Sequence, residues 1–401
     1  MIEPIIDNRE QREGKPGLHA LIVGVSAYTH LPDEDDRKGS PVLGMRQLSS
    51  SALAAYEIYQ WLSQWQARLE VPLATCRLLL SPSPAELQAR PELQGLAERA
   101  TLNNFQAAVQ EWRADALSSK KNMTLLYFAG HGVQRIRGDH VLLLEEFDDT
   151  KNPLLQYAIT TTALMDGMAP VDGQADIART QLYFIDACRI KPEVFAKYED
   201  LQTAPLWDIQ KSNIDDRVVA TFYTSIPGRE AYGIKGQQTL FSKALIDCLS
   251  GGAGDENNCI DEEGQPQWCI TINSINSALE HFMRQVNQEI GTLHTQMFRS
   301  SGLGPNVVIH RLNNPPEVEV QLFVVPSAAL ECADIEILDD SDAHALDLTK
   351  PVCPHPFKTR LPAGTYRVAA KIDPPQETYK DYKPRHIYIR PPQARWVIKV
   401  D

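Results

Sequence analysis

The chain has 401 residues, 43% of them hydrophobic and 23% charged, with a formal net charge of −13. Composition this ordinary excludes a disordered tail, a collagen-like fibre and a small disulfide-stapled scaffold, and the length allows two or three domains of about 150 residues. The acidic balance excludes nucleic-acid binding through a broad basic surface, which needs clustered Lys and Arg to release counterions.

Met1 to Asp7 has no basic stretch leading into an apolar one, so no secretory signal is expected. No apolar run approaches the ~18 residues of a transmembrane helix. Seven cysteines, an odd number spread along the chain, suit the reducing cytoplasm. A Cys259–Cys269 bridge across an acidic loop is the one pairing left open.

His19 to Val25 is a short apolar run, the mark of a buried strand, and Leu48 to Leu62 reads as a helix with Ser49, Ser50 or Ser51 as its cap. Arg77 to Leu80 is a second strand, closed by Ser81-Pro82-Ser83-Pro84. Thr101 to Leu117 is helical, with Phe105, Val109 and Trp112 on one face. Met123 to Ala129, Gln181 to Ile185 and Arg217 to Tyr223 are three further strands. Leu240 to Leu249 and Ile275 to Ile290 are helices. Strands apolar on both faces, alternating with amphipathic helices, predict a mostly parallel α/β sheet covered on both sides. Such a sheet carries its chemistry at the carboxyl ends of its strands.

The last stretch differs. Residues 313–401 hold 12 of the 27 prolines but only one glycine, Gly364, of the 22. The change falls at Asn313-Asn314-Pro315-Pro316, which places a boundary between residues 1–312 and 313–401. Val318–Val325, Ile335–Leu338, Thr365–Ile372, Ile387–Ile389 and Trp396–Val400 read as short strands without an intervening helix, so a small β-sandwich with a binding or regulatory role is expected.

Two strand ends stand out. One runs Leu125-Leu126-Tyr127-Phe128-Ala129 into Gly130-His131-Gly132, the other Leu182-Tyr183-Phe184-Ile185 into Asp186-Ala187-Cys188-Arg189. A thiol becomes a strong nucleophile when a nearby imidazole helps to deprotonate it. The flanking glycines let the backbone turn sharply and a substrate chain come close. Asp186 and Arg189 are poor companions for a merely structural thiol.

These two segments resemble the His and Cys motifs of the caspase, metacaspase and paracaspase superfamily of cysteine proteases. The His lies 57 residues upstream of the Cys, against about 50 in the caspase pattern. The resemblance covers roughly residues 17–312. It implies a caspase-like fold and peptide-bond hydrolysis, with Cys188 as nucleophile and His131 as general base and acid. It also implies the backbone N–H groups of Gly132 and Cys188 as the oxyanion hole. Asp186 stands where caspases carry Gln and metacaspases carry Asp. In that position it would line the pocket for the residue before the cut and select Arg or Lys, since an unpaired buried carboxylate is costly. The implied partner is a protein or peptide substrate, with an activating protease or regulator, and no nucleic acid or membrane. No cofactor is expected, although some metacaspases are calcium-activated.

Other features carry less. Glu145-Glu146-Phe147-Asp148-Asp149 and Asp255 to Glu263 lack the ligand spacing of an EF-hand and read as solvated loops. His140, His294 and His310 lack metal-ligand spacing and read as structural, so no metal site is assigned. Trp61 and Trp65 read as core packing. Residues 189–216, with Lys191, Lys197 and Lys211, form either a cleavable zymogen linker or an inserted helix over Glu193 to Leu201. Against the peptidase stands a second reading, in which the fold is kept as a non-catalytic binding module.

Overall fold

The computed structural model describes residues 2–33, 43–135, 139–172, 176–188, 191–198, 201–208, 212, 214–224, 236–260, 263–290, 297–341, 343–348, 355–373, 375 and 378–400. The chain divides into two compact units, Met1–Ile246 with Met283–Asn306, and Asp247–Phe282 with Val307–Asp401. The composition change at residue 313 therefore lies inside the second unit, which also takes in residues 247–282.

The first unit carries strands β1 (Ile6–Asp7), β2 (Leu18–Val25), β3 (Leu73–Ser81), β4 (Met123–Gly130), β5 (Gly132–Val133), β6 (Val141–Leu143), β7 (Ala158–Thr160), β8 (Thr180–Ala187) and β9 (Val218–Tyr223). Its helices are α1 (Arg9–Arg12), α2 (Ser51–Trp65), α3 (Pro84–Ala89), α4 (Leu102–Ala116), α5 (Thr161–Gly167) and α6 (Leu240–Asp247). The second unit opens with β10 (Gly254–Asp255) and β11 (Cys269–Thr271), and α7 (Ile272–Ile290) leads back to β12 (Arg299–Ser301) of the first. β12 completes a seven-stranded sheet in the order β1-β3-β2-β4-β8-β9-β12. Its inner strands are parallel, and the edge strands β1 and β12 pair antiparallel. The sheet is the expected mostly parallel α/β one.

Alternation along β2 shows how the sheet is covered. Leu21 and Val23 pack with Phe105, Val109 and Trp112 of α4. Gly24, one residue out of phase, faces α2, where a β-carbon would come within 2.7 Å of Ala52 and Ala55. The expected serine cap of α2 is absent: Ser50 makes no side-chain capping bond. The end is capped from elsewhere, because Ser26 Oγ accepts from the Ser51 and Ala52 N–H groups and Glu86 from that of Leu53, each at 3.0 Å. Orphan helix donors are satisfied as readily by a neighbouring strand end as by their own segment.

The loop 145–149 is not solvated as expected. Glu145 is buried and accepts from Ser81 Oγ at 2.6 Å and Arg99 Nε at 2.7 Å, while Glu146 caps α4 through the Leu102 N–H at 3.1 Å. After β8, a short 3-10 turn forms at Glu193–Lys197, within the stretch read as either a linker or an inserted helix. Residues 201–208 then dock on the core. The Ala204 N–H donates to Ala158 O at 2.9 Å. Trp207 covers Gly167, where a β-carbon would collide with its indole.

In the second unit β10, β11 and β13 (Val308–Arg311) form one small sheet. The Cys259–Cys269 disulfide is formed. Two further sheets follow from β14 (Glu317–Val325), β15 (Ala333–Asp339), β16 (His344–Leu348), β17 (Phe357–Pro362), β18 (Gly364–Ile372), β19 (Tyr382–Ile389) and β20 (Gln393–Lys399). Their orders are β17-β14-β20 and β16-β15-β18-β19, and residues such as Val320, Leu322, Ile337 and Val368 form their shared core. β16 and β17 are additions to the strands read from sequence; both are edge strands with half-exposed, mixed side chains.

Candidate active site

β4 and β8 run parallel in register, with Ala129 opposite Asp186 and Gly130 opposite Ala187. His131 and Cys188 are the next residue on each. Paired strands lie about 4.8 Å apart, so the register alone brings the two to the same carboxyl edge.

His131 is held from three sides. Its backbone N–H donates to Tyr28 Oη at 2.7 Å, and its ring lies 5.0 Å from that of Tyr28. Nε2 lies 2.6 Å from the Arg46 carbonyl oxygen. A carbonyl only accepts, so Nε2 carries the hydrogen and Nδ1 is the basic nitrogen. Burial pushes the imidazolium pKa down to about 4, against the pull of the Arg46 carbonyl. The ring is therefore neutral at pH 7 and ready to take a proton. Gln47 fixes the Arg46 carbonyl by bonding to the loop after β2: it accepts from the Tyr28 N–H at 2.5 Å and donates to Leu31 O at 2.8 Å and to Tyr28 O.

Cys188 is half-buried and outside any disulfide. Its carbonyl lies 2.8 Å from Nε2 of His140, a fully buried residue whose ring is 5.5 Å from that of Tyr223. His140 thus belongs to the site rather than to the core alone. A β-carbon on Gly132 would come within 2.6 Å of the Cys188 oxygen and 2.7 Å of His140 Nε2. One on Gly130 would come within 2.9 Å of Tyr28 Oη. The two glycines make room for the site's own frame, and Gly132 sits directly against the backbone of Cys188.

Asp186 is 3% exposed. One carboxylate oxygen accepts from the hydroxyls of Tyr127, at 3.0 Å, and Thr239. The other is buried without a hydrogen-bond partner among the described residues. Burial pushes its pKa up to about 6, partly offset by the Thr239 and Tyr127 hydroxyls. No cation among the described residues forms an ion pair with it.

The structure brings His131, Gly132, Asp186 and Cys188 to one strand edge. Arg189, His294 and Lys211 lie outside the described residues. His310 is buried in β13, and Trp61 is buried in α2 with Trp65 stacked on it. Tyr28 and Arg46 escaped the sequence reading, and His140, which reads there as structural, joins them beside Cys188. Two of them, Tyr28 and His140, are ordinary polar residues there, and Arg46 acts through a backbone carbonyl that no side-chain pattern reveals.

The model of the caspase domain family matches residues 18–300. The chain belongs to the caspase domain family. It is a caspase-like protease family, and the match spans every strand of the central sheet except the short edge pieces β1 and β12 in full. Among solved structures, caspase-1 from Spodoptera frugiperda is similar at 10% identity and a TM-score of 0.40, over 72% of this chain and 86% of that one. A Geobacter sulfurreducens protein is similar at 12% identity and a TM-score of 0.39, over 71% and 93%. Comparison with curated proteins returns no match. No helix among the described residues is long and apolar enough to cross a membrane.

Proposed function

We propose that the protein is a cysteine endopeptidase that cuts after Arg or Lys. His131 Nδ1 takes the thiol proton and Cys188 Sγ attacks the scissile carbonyl, forming a tetrahedral oxyanion. The backbone N–H groups of Gly132 and Cys188 stabilise that charge. Collapse to a thioester expels the amine, which takes the proton back from His131. Water, deprotonated by the same imidazole, then releases the acid and restores the thiol. The observation that carries this reading is the register of β4 and β8, which sets a neutral, oriented imidazole beside the thiol strand end.

Asp186 supplies the specificity. Its bare buried oxygen is completed by a substrate guanidinium or ammonium, and Arg fits a carboxylate bidentately. The chemistry uses no cofactor, and calcium acts, if at all, as an activator. We assign the protein to the cytoplasm as a zymogen of a stress or defence pathway, activated by cutting between Cys188 and β9. Lys191 and Lys197 are exposed there, on either side of buried Phe195.

A peptide-library cleavage profile of wild type and Cys188→Ala tests the reading. Cuts after Arg and Lys, lost in the variant, are expected, and a profile dominated by Asp overturns the pocket role. If neither cleavage nor labelling of Cys188 by a peptidyl electrophile occurs, even with calcium or after limited proteolysis, the binding-module reading replaces the peptidase. N-terminal sequencing of fragments from wild type, but not Cys188→Ala, should place a nick between 189 and 216; full activity from an uncut chain ends the zymogen assignment.

A further inference from the structure

At the amino ends of β2 and β3, the edge of the sheet opposite His131 and Cys188, the first unit holds a cavity of about 250 Å³. His19, 4% exposed, forms part of its wall. His19 Nδ1 lies 2.9 Å from Thr75 Oγ1, and that hydroxyl donates to Asp115 Oδ2 at 3.0 Å. With its hydrogen committed to Asp115, the Thr75 oxygen accepts, so Nδ1 carries the imidazole hydrogen and Nε2 is a bare lone pair. Asp115 is itself held by Arg77 Nη1 at 2.5 Å and Arg9 Nη1 at 3.1 Å. Burial keeps His19 neutral, pushing its pKa down to about 4 against the pull of Asp115. Its Nε2 is turned toward Gly17, also on the cavity wall, and makes no hydrogen bond within the described residues.

The charges around this acceptor do not cancel. Arg9 is committed to Asp7 and Asp115. Asp115 is neutralised by Arg77 and Arg9. That leaves Arg12 and Lys15. Among the described residues Arg12 makes a single hydrogen bond, to the Pro16 carbonyl at 2.7 Å, and its buried Nε–H has no partner. Lys15 is exposed and has no ion pair among the described residues. Glu10 and Glu13 of the same turn do not line the cavity. Two uncompensated cations thus flank a neutral acceptor on a protein whose net charge is −13.

We propose that this cavity binds a phosphate group that still carries a proton. The anionic oxygens face Arg12 and Lys15, and the P–OH donates to His19 Nε2. An anion without a hydroxyl, such as sulfate, leaves that lone pair unmatched. The cavity is smaller than the ~300 Å³ at which drug-sized sites begin, so it suits free phosphate or a phosphate monoester of a few carbons.

The test is calorimetric titration of the full chain with inorganic phosphate, glycerol phosphate and sulfate at matched ionic strength. It is run near pH 6, where about half of a phosphate monoester keeps its last proton. Saturable phosphate binding about ten-fold tighter than sulfate is expected, the worth of one hydrogen bond to a charged ligand. The two phosphate arms separate free ion from monoester as the source. The doubly substituted Arg12→Ala, Lys15→Ala protein should bind phosphate at least about ten-fold more weakly. His19→Phe should abolish the preference over sulfate; if it does not fold, the anion preference of wild type and the double variant decide. Equal binding of phosphate and sulfate, or affinity unchanged in the double variant, overturns the proposal.

Discussion

The two ends of the central sheet each bury a carboxylate, and they keep it in opposite ways. Asp115 at the amino end meets two guanidiniums and a threonine hydroxyl. Asp186 at the carboxyl end meets the hydroxyls of Tyr127 and Thr239, and its other oxygen has no hydrogen-bond partner among the described residues. A buried charge persists when it is paired or when its surroundings are built for a partner that comes and goes. Asp115 belongs to the first kind and ties α4 to α1 through Arg9 and to β3 through Arg77 and Thr75, while Arg77 Nε also holds the Ile2 carbonyl at 3.1 Å. Under the proposed function Asp186 belongs to the second, and the identity of the partners, more than burial, separates the two.

The contrast breaks most sharply by substitution. Asp186→Ala should lower kcat/KM for substrates cut after Arg or Lys by about 10²–10³-fold, since a buried charge pair broken on one side costs about 3–5 kcal/mol. It should leave thermal stability unchanged or raised, because an unmatched buried acid is removed; a large fall in Tm with unchanged specificity would contradict the assignment. Asp115→Asn should do the reverse. Two arginines lose their counter-charge, unfolding free energy should fall by about 3–5 kcal/mol in a denaturant titration, and the residue preferred before the cut should not change.

Acid titration sharpens the comparison within the active site. The folded pKa of Asp186 is raised from 3.8 to about 6, so its stabilising contribution is full below 3.8 and is lost as pH rises through 6. His131 is lowered from 6.5 to about 4, so its contribution is full above 6.5 and is lost as pH falls to 4. The two oppose each other across that window. Asp186→Asn leaves the histidine alone, so the variant should lose about 3 kcal/mol more than wild type between pH 6.5 and 4, followed by denaturant midpoints. In the same window, selectivity for Arg over an uncharged residue should rise with pH as Asp186 ionises. The smallest expected effect is that of Gly132→Ala, in which the new methyl group pushes on the Cys188 carbonyl and His140. Misplacing the thiol by about 1 Å costs roughly 10²-fold in kcat, and alkylation of Cys188 should slow with it.

Much of this site was legible because its strands are buried on both faces. Met123–Ala129 and Gln181–Ile185 read as short, mainly apolar runs, and the residues that end such runs are where polar chemistry surfaces. The frame around His131 and Cys188 was not legible for a physical reason. Arg46 contributes a peptide oxygen that any residue would supply, and His140 reaches the Cys188 carbonyl from a hairpin 48 positions away. The cap of α2 was missed on the same ground, since Ser26 and Glu86 approach it through the fold and not along the chain. In the second unit the core strands betray themselves by alternation. β16 and β17 lie at sheet edges, where half-exposed mixed residues carry little signal.

Trp207 rests on Gly167 with the Arg113 guanidinium 5.7 Å from its ring, in the segment that leads from Cys188 to β9. An indole in that setting is an optical probe of its own docking. If the segment lifts away during activation, the chromophore passes from a crowded, cation-flanked seat into water. Its emission should then move to longer wavelength and become open to collisional quenchers, a change that the difference between wild type and Trp207→Phe isolates. The protein carries at this place a built-in readout of whether the stretch after Cys188 is seated or released, with no label attached.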